Sequence, residues 1–205
     1  MRTWKLWLTL PLLTAVTAMA GSGATTRIWN FENDSPGAIA KGFVAASGEW
    51  KVASTAEGNV LAQLAKSPGA VFNVALVDHT RAKDLDVSVK VRAMAGENDQ
   101  GGGLIWRAKD AKNYYLARYN PLEDNYRLYH VVDGKRTLIQ NVDITHSDGW
   151  HTLRVTMAGD QITCYYDGKK YLEAKDSTLP ESGKIGLWSK ADAQSQFDDL
   201  TLATP

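Results

Sequence analysis

Three consecutive stretches concentrate arginines and aromatic rings: Gly101-Gly102-Gly103-Leu104-Ile105-Trp106-Arg107, Asn113-Tyr114-Tyr115-Leu116-Ala117-Arg118-Tyr119-Asn120 and Tyr126-Arg127-Leu128-Tyr129. Guanidinium groups offer planar donor forks and rings offer flat apolar platforms, a combination suited to hydroxyl-rich or anionic ligands. A sugar ring uses both, with its C–H face against an aromatic and its paired hydroxyls met at the edge. In antiparallel strands about 4.8 Å apart, with successive side chains on opposite faces, the three runs can pool these groups on one surface.

Parity divides the runs. If the loop from Asn120 to Asn125 closes a hairpin in which Arg118 faces Arg127, then Tyr114, Leu116, Arg118, Arg127, Tyr129 and Val131 share one face. Tyr115, Ala117, Tyr119, Tyr126 and Leu128 share the other, which reads as core. Arg107 joins the first face if the turn at Asp110 keeps an even register, and a one-residue slip removes it. Later in the chain Trp188, Lys190 and Asp192 alternate with Leu187 and Ser189 and can project together. The candidate ligand-binding residues are therefore Arg107, Tyr114, Arg118, Asn120, Arg127, Tyr129, Trp188, Lys190 and Asp192. Neighbouring arginines repel unless acids or a bound polar molecule lie between them, and Glu123 and Asp124 are close in sequence to serve. The competing reading is a purely structural one, with ordinary exposed arginines and with Trp106 or Trp188 in the core. On the binding reading, Arg118→Ala is expected to abolish glycan binding and leave the melting temperature nearly unchanged.

Other chemistries find less support. Cys164 is the single cysteine, so no intramolecular disulfide can form. It alternates with Ile162 and Tyr166, the setting of a small buried hydrophobe, with no histidine nearby in sequence to activate it. Histidines 79, 130, 146 and 151 show no spacing typical of zinc ligands.

The elements that must position the arginines are strands. Leu85, Val87, Val89 and Val91 alternate with polar residues, as do Leu153, Val155 and Met157, the pattern of half-buried antiparallel strands. No stretch after the leader keeps a helical stripe. Asp133-Gly134 and Asp167-Gly168 sit between strand-like runs, where both positions of a type I′ turn need positive φ, and predict two tight hairpins. Strands at 8–12-residue spacing predict an all-β sandwich or barrel. Arg2 and Lys5 before the apolar run Leu6–Thr17, then Ala18-Met19-Ala20, read as a cleaved signal peptide over 1–20. One domain is expected over 21–205, exported to the periplasm or medium and not inserted in the membrane. Gly21, not a cysteine, comes directly after the cleavage site, which argues against a lipid anchor. Losing Arg2 and Lys5 leaves 21 basic side chains against 23 acidic ones, a balance that argues against nucleic acid as a partner.

The chain resembles the concanavalin A-like lectin and glucanase superfamily in Gly183-Lys184-Ile185-Gly186-Leu187-Trp188-Ser189-Lys190-Ala191-Asp192 followed by Phe197-Asp198-Asp199-Leu200. The segment Trp150-His151-Thr152-Leu153-Arg154-Val155, with Gly159-Asp160-Gln161-Ile162 and Tyr166-Asp167-Gly168, matches it too. With Gly102–Asn120, it looks like an exported bacterial branch described as laminin G-like or family 16 glycoside hydrolase-like, from Trp29 to Leu202. The resemblance implies a two-sheet antiparallel jelly-roll sandwich, with the ligand on the concave face of one sheet in sugar-binding members. Retaining relatives in family 16 carry Glu-x-Asp-x-x-Glu on one strand, the close carboxyl pair that glycoside cleavage needs. Here Glu32-Asn33-Asp34 and Glu97-Asn98-Asp99 each meet glycine, Gly37 and Gly102, where the second glutamate belongs. Some relatives hold calcium between terminal strands, for which Glu32, Asp34 and Asp199, beside Asp198, would supply the oxygen ligands. A carbohydrate-binding domain without catalysis is the leading reading; a glycoside hydrolase-like enzyme with a non-standard site and a laminin G-like protein-interaction module are the alternatives.

Overall fold

The computed structural model describes residues 25–145 and 147–205; the leader read at 1–20 and His146 lie outside them. Among the described residues the regular structure is entirely strand. In chain order these are β1 (Thr25–Trp29), β2 (Phe43–Ser47), β3 (Trp50–Thr55), β4 (Gly58–Gln63) and β5 (Phe72–Val77). They continue with β6 (Leu85–Ala95), β7 (Gly102–Asp110), β8 (Asn113–Asn120), β9 (Asn125–Val132) and β10 (Lys135–Asp143). The last are β11 (His151–Ala158), β12 (Gln161–Tyr166), β13 (Lys169–Lys175), β14 (Lys184–Lys190) and β15 (Gln194–Thr204).

Two antiparallel sheets result. Sheet A runs β13-β12-β11-β6-β15-β4-β3, with β1 also paired to β15, and sheet B runs β10-β9-β8-β7-β14-β5-β2. Both Asp-Gly pairs close two-residue hairpins: Asp133 and Gly134 have φ of 50° and 80°, Asp167 and Gly168 of 48° and 78°. Lys135 accordingly pairs with Val132 and Lys169 with Tyr166, the twist-matched geometry that positive φ at both positions provides.

The alternation seen in the sequence fills the space between the sheets. Leu85, Val87, Val89, Val91, Leu153, Val155 and Met157 enter the core from sheet A, and Trp106, Tyr115, Ala117, Tyr119, Tyr126 and Leu128 enter from sheet B. Trp106 stacks on Tyr115 at 5.6 Å between ring centroids and directs its indole N–H at Met157 Sδ. Cys164 is buried there as expected, and burial pushes its thiol up to about 12, which keeps it protonated and unreactive at neutral pH.

Candidate functional site

The hairpin register places Arg118 opposite Arg127, Leu116 opposite Tyr129 and Tyr114 opposite Val131, as parity requires. These residues share the face of sheet B turned away from sheet A, where Val74, Leu76, Ile105, Tyr114, Leu116, Tyr129, Val131 and Trp188 form a second apolar cluster. The face is concave. Arg136 on β10 and Phe72 on β5 are five strand spacings apart, roughly 24 Å across a flat sheet. Yet the Arg136 guanidinium lies 5.5 Å from the Phe72 ring, 5.6 Å from Trp188 and 4.5 Å from Tyr129. Only a strongly curved sheet lets one side chain span that distance.

At one end of this trough a chain of charges runs across the strands. Arg118 Nη2 donates to Asp99 Oδ1 at 3.3 Å and to Glu123 Oε1 at 3.1 Å. Arg127 Nη1 donates to Glu123 Oε2 at 2.8 Å, and Lys190 Nζ to Asp99 Oδ2 at 3.2 Å. Asn120 Nδ2 donates to Asp99 Oδ1, and Asn141 Oδ1 accepts from Arg127 Nε. Glu123 thus separates the two arginines, as its nearness in sequence suggested. Burial pushes its carboxyl up, but Asn125, Arg118 and Arg127 outweigh this and hold it below the usual carboxylate range.

Two loops deliver the acids. The turn after β8 is wound on Asn120, whose Oδ1 accepts the N–H groups of Leu122 and Glu123, and Asn125 Nδ2 holds the Glu123 carboxylate at 3.0 Å. The loop between β6 and β7 needs Gly96 at φ 148° and Gly101 at φ 79°, where a Cβ would strike the carbonyl oxygens of Asp99 and Tyr119. That compression turns Asp99 under the face, where it is 2% exposed.

Asp192 holds this loop from behind and does not line the face. Its carboxylate accepts the N–H groups of Glu97, Asn98 and Asp99 at 2.8–3.2 Å. The Glu97 N–H is the main reason its carboxyl is lowered to about 2, against slight opposing burial and with help from Asn98 and Asp99. Because the folded value lies below the usual 3.8, the stabilisation is complete above the ordinary value and lost as pH falls through about 2. Backbone amide signals of Glu97, Asn98 and Asp99 should therefore hold steady from neutral pH down to about pH 4 and move only below it. A transition near pH 5 would contradict the anchoring role.

Arg107 is elsewhere. The β7–β8 ladder slips between Trp106 and Asp110, and Arg107 takes φ 46°, the extra residue of a bulge that breaks alternation. Its guanidinium donates to the carbonyls of Lys83, Gly159 and Leu179 at 2.7–3.2 Å and is 3% exposed. It is a structural arginine at the opposite end of β7, beside a cavity of ≈ 340 Å³ that includes Arg81, Leu179 and Lys184.

The rings form a floor beneath the charged groups. Trp188, Tyr114 and Tyr129 are at most 4% exposed, Trp188 donates its indole N–H to Tyr114 Oη at 3.2 Å, and Arg136 lies over Trp188 and Tyr129. The groups that reach the surface are Glu123, Arg127, Lys190, Arg136 and Asn141. Asp99, Arg136 and Asn141 were not among the residues picked from the sequence.

The expected calcium ligands do not assemble. Glu32 accepts the N–H of Asn59, Asp34 that of Lys41, and Asp199 pairs with Lys90 at 2.7 Å. Among the described residues no group of three or more metal-ligating side chains converges.

Two antiparallel sheets with one concave outer face make this a concanavalin A-like jelly-roll sandwich. The particular likenesses agree. The carbohydrate-binding module CBM66 from Bacillus subtilis is 25% identical, with a TM-score of 0.68 over 80% of this chain and 96% of that one. A protein of unknown function with a galectin-like fold, also from Bacillus subtilis, gives a TM-score of 0.62 at 12% identity over 80% and 90% of the two chains. The carbohydrate recognition domain of Emp47p gives 0.56 at 13% identity over 84% and 92%. No family model and no curated protein matches the sequence.

Proposed function

We propose that the chain is an exported carbohydrate-binding domain, without catalytic activity, that takes a glycan on the concave face of sheet B. The observation that carries this reading is the line Lys190–Asp99–Arg118–Glu123–Arg127 across the face: the buried pair Asp99 and Arg118 fixes the positions of Lys190, Glu123 and Arg127, which reach the surface with Asn141. These outer donors and acceptors can meet successive hydroxyls, each of which both donates and accepts. The likeness to a carbohydrate-binding module over 96% of that module's length supports it.

Binding is favoured over hydrolysis by the state of the acids. A glycosidase of this kind needs a carboxyl raised enough to donate a proton, whereas Glu123 is held low and both acids of the row are committed to Arg118. A glycan array probed with the purified protein tests the proposal, and Glu123→Ala is the informative variant because that side chain reaches the surface, at 42% exposure, whereas Arg118 is buried. Binding to at least one glycan class, reduced about tenfold or more in the variant, is the expected result. Absence of binding to every class, or release of reducing sugar from a bound one, would contradict it.

A further inference from the structure

Among the described residues, Arg136 is the charged group of this face that makes no hydrogen bond or ion pair. Its guanidinium rests on the rings of Tyr129, Phe72 and Trp188, and its Nη1 is buried with no hydrogen-bond acceptor. Arg118 Nε is likewise buried without a partner. An unmet donor on a desolvated cation is costly, and proteins ordinarily satisfy such groups. Stacking accounts for part of the arrangement, since rings attract guanidinium faces. Stacking leaves the in-plane N–H groups free, however, and those are the groups that fork onto a carboxylate or sulfate.

The surrounding charges point the same way. Four cations, Arg118, Arg127, Arg136 and Lys190, meet two carboxylates, Asp99 and Glu123, and both carboxylates are committed to the other three cations. Asp192 is absorbed by the loop amides, and Asp143 lies toward Arg127 at the far end of β10. Arg136 therefore faces Arg118, a like charge, and feels Asp99 and Glu123 only through space, without an ion pair to either among the described residues.

We propose that the glycan taken by this face is acidic, and that its carboxylate or sulfate ester is received by the part of Arg136 that reaches the surface, with the buried Arg118 adding its charge from below. This rests on the carbohydrate-binding reading and adds the ligand's charge to it. The anion would be met by the N–H groups of Arg136 that reach the surface and would offset the repulsion between the two guanidinium groups. The rings beneath Arg136 would hold its fork in place, so that little side-chain freedom is lost on binding.

Calorimetry with three oligosaccharides of equal length separates the possibilities: a neutral galactan, an oligogalacturonate and a sulfated galactan. The acidic oligosaccharides should bind about tenfold tighter than the neutral one at low salt, and added sodium chloride should narrow the gap. Arg136→Gln should remove the preference, while Arg136→Lys keeps part of it, since the charge remains and the fork is lost. Which acidic probe binds better tells carboxylate from sulfate. Equal or tighter binding of the neutral galactan would overturn the acidic-ligand proposal and leave the glycan-binding reading standing. Binding of none of the three, together with a blank glycan array, would overturn both.

Discussion

Arg118→Ala will lower the stability of the fold by about 3 kcal/mol, which for a chain of this size is a fall in melting temperature of roughly 6–12 °C. The sequence alone led to the opposite expectation, a stable variant that merely fails to bind. Burial reverses it. Arg118 is 1% exposed and Asp99 2%, so removing the guanidinium strands a carboxylate out of water, and breaking one side of such a pair typically costs about 3–5 kcal/mol. The lower end applies because Lys190 and Asn120 still reach Asp99. The pair Asp99→Asn and Arg118→Met should recover part of the loss, because the stranded charge goes with its partner. Chemical denaturation of the single and double variants decides the matter: an unchanged midpoint in Arg118→Ala would show that the arginine is not needed for folding. Loss of binding in this variant therefore says nothing about contact unless stability is measured beside it.

Arg107→Ala should cost more, about 4 kcal/mol, with no effect on glycan affinity in the fraction that remains folded. The guanidinium ties together the backbone of Lys83, Gly159 and Leu179 from three separate connections, and each bond from a charged donor contributes about 1.5–3 kcal/mol. Asp84 at 3.5 Å is its carboxylate neighbour. Arg107→Lys should recover only a minority of the loss, since one ammonium cannot reach three carbonyls in a plane. Urea unfolding with an unchanged slope and a lower midpoint is the expected observation. A midpoint within experimental error of the parent would refute the structural assignment.

The contrast between these arginines shows what the sequence carries and what it does not. The Arg118–Arg127 register was legible because two strands of clear alternation flank a short polar loop, and period 2 then assigns every side chain a face. The same arithmetic across Asp133-Gly134 puts Arg136 opposite Val131, so Arg136 could have been found by extending the register one strand further. Arg107 could not. Its displacement comes from a single extra residue at positive φ, and nothing in Trp106-Arg107-Ala108 marks a bulge as a glycine would.

Asp99 escaped for a different reason. Its orientation depends on a loop held by Asp192, 93 residues away, and local patterning has no access to such a contact. Sheet curvature was implied by the resemblance alone; alternation does not carry it. On a flat face Trp188, Tyr114 and Tyr129 would be open platforms for sugar rings; on this curved one they are a floor beneath Arg136. The alternation and Asp-Gly turns thus carry the sandwich and one hairpin of the site, while the depth of the site and its acids come from long-range packing.

The most direct test of a concave-face site is to map where a glycan sits. Backbone and arginine side-chain NMR signals should be followed during titration with the tightest oligosaccharide from the array. The largest changes should fall on Asp99, Glu123, Arg127, Arg136 and Lys190. Changes confined to the cavity at Arg81 and Lys184, or to the opposite sheet around Glu57 and Trp150, would place the ligand elsewhere and contradict the account.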